Sequence, residues 1–223
     1  MTRALSRPAA VLFDLDGTLV DSAPDLAQAA ERMRVARGLP ALGWSAYRAM
    51  AGAGARGILG VAFGVEPTDP TFNDLREEFL SNYQTDLAVH TQMFDGVGQL
   101  LHTLQQRHVP WGVVTNKAER FAVPLVNAFP SLAAARTVVA GDTTPHPKPH
   151  PAPLLEAARR LNCSPTDCWY VGDDERDVQA GRAAGMRTVA AGYGYLGAQP
   201  LSAWGADACI ESPLDLLKVL ELD

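Results

Sequence analysis

The stretch from Val11 to Ser22, Val-Leu-Phe-Asp-Leu-Asp-Gly-Thr-Leu-Val-Asp-Ser, constrains this chain more than any other. A short apolar run ends in two carboxylates, Asp14 and Asp16, followed at once by Gly17. On a strand, alternate residues face the same side, so both carboxylates point into one volume where the strand ends. Two acids held that close favour either a retained proton or a cation between them. Both conditions suit phosphoryl transfer, in which a carboxylate attacks phosphorus and a divalent ion neutralises the phosphoryl oxygens. The spacing makes Asp14 the candidate nucleophile and Asp16 the candidate proton donor to the leaving oxygen. The plainer reading is a strand ending in an acidic turn, and other segments must decide between the two.

The run Asp14-Leu15-Asp16-Gly17-Thr18 resembles the signature of the haloacid dehalogenase-like phosphatases, and Leu19-Val20-Asp21-Ser22 is similar to their phosphoglycolate-phosphatase branch. That resemblance implies an aspartyl nucleophile, a second aspartate as general acid/base, and magnesium held between them. A hydroxyl and an amide at Thr115-Asn116, ending the apolar run 109–114 and leading into Lys117, suit hydrogen bonds to a transferring phosphoryl group. Taken alone, Thr115 reads better as a helix cap; the resemblance, which implies Thr or Ser here, makes Thr115 and Asn116 candidate phosphate ligands. In Pro147-Lys148-Pro149, flanking prolines stiffen the loop and restrict where the ammonium can go. Lys148 resembles the family's phosphate-binding lysine, which screens nucleophile and phosphoryl charge. Apolar residues 168–171 run into Gly172-Asp173-Asp174-Glu175-Arg176-Asp177, so acids again land at a strand's end. Asp173 is expected to complete a magnesium set with Asp14 and Asp16, and Asp177 to orient that set from behind. Asp174 departs from the small residue common at this place in the family.

Between the first strand and the next, the chain carries no strand pattern. Helical periodicity runs over 24–37, 44–50, 56–63 and 72–87, broken by Gly and Pro. We expect an α/β protein: a Rossmann-like parallel sheet core (1–19 and 90–223) with an inserted all-helical cap domain (20–89) over the strand ends. A glycine-rich bend at 50–57 opens one cap helix, and Arg56 there is a candidate substrate contact. His146 and His150 lack companion ligands at metal-binding spacing.

With 223 residues, the chain has room for one domain and an insert. A formal net charge of -6 argues against a nucleic-acid partner. No apolar run reaches the ~20 residues of a membrane span, and residues 1–7 lack the apolar core of an export signal, so a cytoplasmic location is expected. Cys163, Cys168 and Cys209 read as reduced packing residues. Together these features predict a magnesium-dependent phosphomonoesterase acting on a small phosphorylated metabolite, as monomer or homodimer. Segments 77–97, 111–117, 193–195 and 204–207, with the Asp173-Asp174 pair, resemble the branch acting on N-acetylmuramic acid 6-phosphate. Phosphoglycolate is the alternative substrate, and a phosphomutase on the same scaffold is a further one.

Overall fold

The computed structural model describes residues 8–197 and 199–222, so the segment 1–7 considered above as an export signal lies outside the described residues. In chain order the strands are β1 (Ala10–Phe13), β2 (Val20–Asp21), β3 (Gln92–Met93), β4 (Trp111–Val114), β5 (Val138–Val139), β6 (Cys168–Gly172), β7 (Arg187–Ala191) and β8 (Ala208–Ile210). The helices are α1 (Ala23–Ala36), α2 (Gly54–Phe63), α3 (Phe72–Thr85), α4 (Val97–Gln106), α5 (Glu119–Asn127), α6 (Pro130–Ala133), α7 (Ala152–Arg160), α8 (Glu175–Ala183), α9 (Leu201–Trp204) and α10 (Asp215–Val219).

Six strands pair in parallel in the order β5-β4-β1-β6-β7-β8. All four residues of β1 are buried, which explains its unbroken apolar sequence: both faces of the strand are covered. Alternate residues nonetheless go to different places. Val11 and Phe13 join one core with Leu100, Leu104 and Leu125, whereas Ala10 and Leu12 join the core on the other face with Leu154, Ala157 and Ala180. Truncating Leu12 to alanine would open a cavity at a cost of about 2–5 kcal/mol. The chain winds to one side of β1 through β4 and β5 and to the other through β6, β7 and β8. The strand order therefore reverses at β1, and the ligand crevice of such a sheet lies beyond the carboxyl ends of the strands at that point.

Where the chain leaves and re-enters this layer, β2 and β3 form a two-residue antiparallel ladder, Val20 with Met93 and Asp21 with Gln92. Strands this short leave no readable alternation, and the periodicity did not predict them. Between them, α1, α2 and α3 close around a separate core that includes Met33, Tyr47, Ile58, Leu59, Phe79 and Tyr83. The buried carboxylate of Asp25 on α1 accepts from the backbone of His90 and Thr91 and from the Thr91 hydroxyl, tying the helical block to the returning chain. The pattern predicted an α-helix over 44–50; the structure has 3-10 turns at Trp44–Ala46 and Arg48–Ala53. Gly43 and Gly54, both at positive φ, bracket these turns and stop longer helical runs. The four-residue helices α6 and α9 likewise escaped the pattern, being little more than one turn each. The three cysteines are free thiols. Among the described residues no helix is long and apolar enough to cross a membrane.

Candidate active site

Three strand ends and one loop converge on a cavity of about 210 Å³. Asp14 follows β1, Thr115 follows β4, Asp173 follows β6, and Lys148 comes from the loop after β5. Residues 134 positions apart meet directly: Lys148 Nζ donates to Asp14 Oδ1 at 2.8 Å and to Asp177 Oδ1 at 2.7 Å. The Tyr170 hydroxyl (2.8 Å) and the Val114 carbonyl (3.1 Å) complete its surroundings. Burial alone would lower the proton affinity of this ammonium, but Asp14 and Asp177 overcome that and hold it above the ordinary lysine range.

Asp177 occupies the third position of α8 and completes a capping box with Asp174, accepting from the Asp174 N–H at 3.1 Å. Its other oxygen faces Lys148 and the Tyr170 hydroxyl. One carboxylate thus ends the helix and fixes the lysine. Asn116 does related work. Its side-chain amide donates to the Lys148 carbonyl and accepts from the Lys148 N–H, both at 2.9 Å. The sequence pointed this amide at phosphoryl oxygens; the structure has it clamp the lysine loop from both sides. Thr115 Oγ1 accepts from the Lys117 N–H at 3.1 Å, which leaves its own proton available to the cavity.

Asp173 is buried and accepts from Thr18 Oγ1 at 3.0 Å and from the Tyr195 N–H at 2.8 Å. Two glycines make room for it. A Cβ on Gly17, whose φ is +90°, would lie 2.1 Å from Asp173 Oδ2, and one on Gly194 would lie 2.3 Å from Asp173 Cβ. Only residues without side chains allow both loops to approach this carboxylate.

Asp14, Asp173 and Asp177 each bring a carboxylate oxygen within 4.8 Å of the others, all three buried. Burial pushes the Asp14 carboxyl up to about 7, against the pull of Lys148, with Asp177 and Asp16 adding to the rise. Asp173 is raised well above the usual carboxylate range, chiefly by burial and then by Asp14 and Asp177. Negative charge is therefore in excess of what Lys148 neutralises, and the donors are hard oxygens, so the cluster fits a small divalent cation such as magnesium. All three already accept hydrogen bonds, Asp14 from Lys148, Asp173 from Thr18 and Tyr195, and Asp177 from Lys148, Tyr170 and the Asp174 N–H, and each offers an oxygen to such an ion.

The Asp16 side chain, expected in the ligand set, lies outside this cluster. Its Oδ1 accepts from Lys117 Nζ at 3.0 Å and from the Ser22 hydroxyl. Arg56, expected at the substrate, is exposed on α2 and is not among the residues lining the cavity. In its place the helical block presents Leu26 and the small residues Ala51, Gly52, Ala53 and Gly54. Arg176, which the sequence reading passed over, also lines the cavity; it pairs with Asp174 at 2.7 Å and donates to the Gly52 carbonyl at 2.7 Å. Other contributors had weak signals or none. Thr18 lies inside the signature itself, whereas Tyr170 is simply an aromatic in a buried strand.

The haloacid dehalogenase-like hydrolase family model matches residues 11–191, which spans β1 to β7. The N-acetylmuramic acid 6-phosphate phosphatase of Pseudomonas putida is 41% identical over 213 residues, covering 95% of this chain and 96% of that one. A phosphoglycolate phosphatase of Xanthomonas campestris pv. campestris is 44% identical over 211 residues, covering 94% and 95% respectively. Among solved structures, a protein of Haemophilus somnus described as a predicted phosphoglycolate phosphatase superposes with a TM-score of 0.84 at 27% identity, covering 97% of this chain and 99% of that one. In sequence, in strand order and in the acids gathered at the end of β1, the chain belongs to the haloacid dehalogenase-like hydrolase family.

Proposed function

We propose that this protein is a magnesium-dependent phosphomonoester hydrolase working through an aspartyl-phosphate. The observation that carries the reading is the meeting of Asp14, Lys148, Thr115 and Asp173 around one cavity, from four separate segments of chain. Asp14 attacks phosphorus while the bond to the leaving oxygen breaks and Asp16 delivers a proton to that oxygen. Asp16 then takes a proton from water, which attacks the phosphoryl group, frees inorganic phosphate and restores Asp14. Lys148 balances negative charge beside the nucleophile, and the Thr115 hydroxyl donates to a phosphoryl oxygen. Asn116 acts one step back, by holding the Lys148 loop. Magnesium, held by Asp14 and Asp173, would neutralise phosphoryl oxygens and keep Asp14 ionised. Residues 20–89 act as the lid that keeps bulk water from the phosphoryl group.

For the substrate we favour N-acetylmuramic acid 6-phosphate, a reading supported by 41% identity to the Pseudomonas putida enzyme of that name. Phosphoglycolate is the second reading, and two observations favour it: the 44% identity to the Xanthomonas enzyme and the size of the cavity. About 210 Å³ lies below the ~300–1,000 Å³ usual for ligand pockets. A two-carbon ester suits that volume, whereas the muramic ester requires the helical block to stand further out.

The test measures inorganic phosphate released from each ester by purified protein, with magnesium and with chelator. The expected result is release that needs magnesium, with a higher kcat/KM for the muramic ester; a higher value for phosphoglycolate reverses the substrate assignment. Asp14→Asn is expected to lose both turnover and phosphoenzyme. Turnover retained in that variant, or an isomerised sugar phosphate in place of inorganic phosphate, defeats the proposed mechanism.

A further inference from the structure

Lys117 directly follows the Thr115-Asn116 pair, and the mechanism above gives it no role. It is largely shielded from solvent beside Asp16, with the two side chains 9% and 16% exposed. Its backbone is pinned at both ends: the N–H donates to Thr115 Oγ1 at 3.1 Å, and the carbonyl accepts from Gly141 N–H at 2.9 Å. The ammonium sits 4.6 Å from the ring centroid of Tyr83, within the distance at which an aromatic face attracts a cation. Tyr83 belongs to α3 in the helical block, is buried, and packs on Phe121 of α5 in the sheet layer, ring centroids 5.6 Å apart. Among the described residues the Tyr83 hydroxyl has no hydrogen bond of ordinary geometry; burial pushes it up to about 12, and the nearby Lys117 ammonium opposes the rise. The ring is the part of Tyr83 whose contact with the ammonium is defined by distance.

On the other side of Lys117, both donors to Asp16 arrive at the same oxygen. Lys117 Nζ and the Ser22 hydroxyl bond Oδ1, and Oδ2 makes no hydrogen bond among the described residues. One oxygen is thus anchored and the other unengaged, in a residue that lines the cavity. A proton donor needs its reactive oxygen within ordinary hydrogen-bond reach of the leaving atom.

We propose that Lys117 is a positioning residue for Asp16 and that the face of Tyr83 holds Lys117 in place, so the general acid/base is correctly set only when the helical block is seated. This deepens the phosphatase reading and rests on it. The seated block then closes the cavity and aims the proton donor together, through one ammonium.

The experiment compares two esters in wild type, Lys117→Met and Asp16→Asn. One is 2-phosphoglycolate or N-acetylmuramic acid 6-phosphate, whichever wild type hydrolyses faster; the other is p-nitrophenyl phosphate, whose leaving group departs without a proton. With the alkyl ester, kcat/KM is expected to fall roughly 100-fold in Lys117→Met, the scale of a misplaced catalytic group. With p-nitrophenyl phosphate it is expected to fall less than about threefold, since no proton is needed for that step. For both esters kcat is expected to fall, because water activation by Asp16 is common to them. Asp16→Asn sets the pattern to be matched. Equal loss of kcat/KM on the two esters would mean a merely structural lysine and would overturn the assignment.

Tyr83→Leu is expected to give the same unequal losses more weakly, and Tyr83→Phe to keep the wild-type ratio between esters. Losses in Tyr83→Phe equal to those in Tyr83→Leu would overturn the role of the ring. Should Lys117→Met lose its fold by circular dichroism, Lys117→Arg, which keeps the charge, and Tyr83→Leu carry the test: a wild-type ester ratio in Tyr83→Leu overturns the proposal. Absence of phosphate release by wild type from any of the three esters would instead bring down the phosphatase reading itself.

Discussion

The carboxyl edge of the sheet and the inner face of the helical block border the same cavity, yet they are built differently. At the sheet edge, charged groups are buried and each is tied by hydrogen bonds to another segment: Lys148 to Asp14 and Asp177, Asp173 to Thr18 and Tyr195. Across from them, residues 51–54 line the cavity with alanine and glycine. Chemistry needs charges fixed to a fraction of an ångström, and buried, mutually bonded groups supply that rigidity. Discrimination among esters needs only a wall whose shape can change without disturbing those charges.

Each side of that contrast can be broken. After Asp14→Asn, the largest effect expected is at Lys148. Lys148→Met removes the only partner of Asp14 among ion pairs of the described residues and leaves buried carboxylates uncompensated. Activity is expected to fall by about 100- to 1,000-fold, and chemical denaturation at neutral pH is expected to show a loss of about 3–5 kcal/mol. Unchanged stability would mean that the sheet edge is less tightly coupled than its hydrogen bonds indicate.

The next effect concerns the acids themselves. Asp14 is raised from 3.8 to about 7 in the folded chain, so between those values the folded state holds more protons than the unfolded one. The contribution of this group to stability is accordingly present in acid and lost as pH rises toward 7. Metal-free protein is expected to lose thermal stability over that window by this route, and magnesium to raise Tm more at pH 7.5 than at pH 5, where protons compete for the same oxygens. A magnesium effect independent of pH would place the ion elsewhere.

Smaller effects belong to the helical block. A Cβ on Gly52 would stand 3.9 Å from Asp174 Oδ2 and 4.0 Å from the Tyr195 ring, ordinary contact distances, so the backbone tolerates alanine. Gly52→Ala is expected to narrow the cavity and to lower kcat/KM for the muramic ester by about tenfold, with phosphoglycolate changed about twofold. Equal losses on the two esters would show that this wall does not select. The smallest change is expected at Arg56, exposed and away from the cavity: Arg56→Gln should shift kcat/KM by less than about twofold, the scale of an ordinary surface substitution. A larger loss would restore Arg56 as a substrate contact and with it a block that moves during turnover.

Much of the parallel sheet was legible because β1, β4 and β6 are apolar runs that end at Asp14, Thr115 and Asp173, and because helical spacing fills the gaps between runs. The two-residue ladder of β2 with β3 and the 3-10 turns at Arg48–Ala53 were not, since both depend on contacts across the chain rather than on a local period. The same holds within the site. Asp14, Asp173 and Lys148 stand in recognisable local patterns, whereas the use of the Asn116 amide to clamp the lysine loop is visible only once β4 and the loop after β5 lie side by side.

By itself the sequence determined the identity and order of the reactive groups, because strand ends, a signature turn and proline-braced loops are local, and local sterics set them. Which oxygen faces which cation was decided by the tertiary structure alone. Asp16 turned to Lys117, Asp177 turned to Lys148, and Arg56 left outside the cavity are outcomes of packing between segments far apart in the chain. The energy of a buried charge depends on every neighbour within a few ångströms, and no stretch of sequence carries that list.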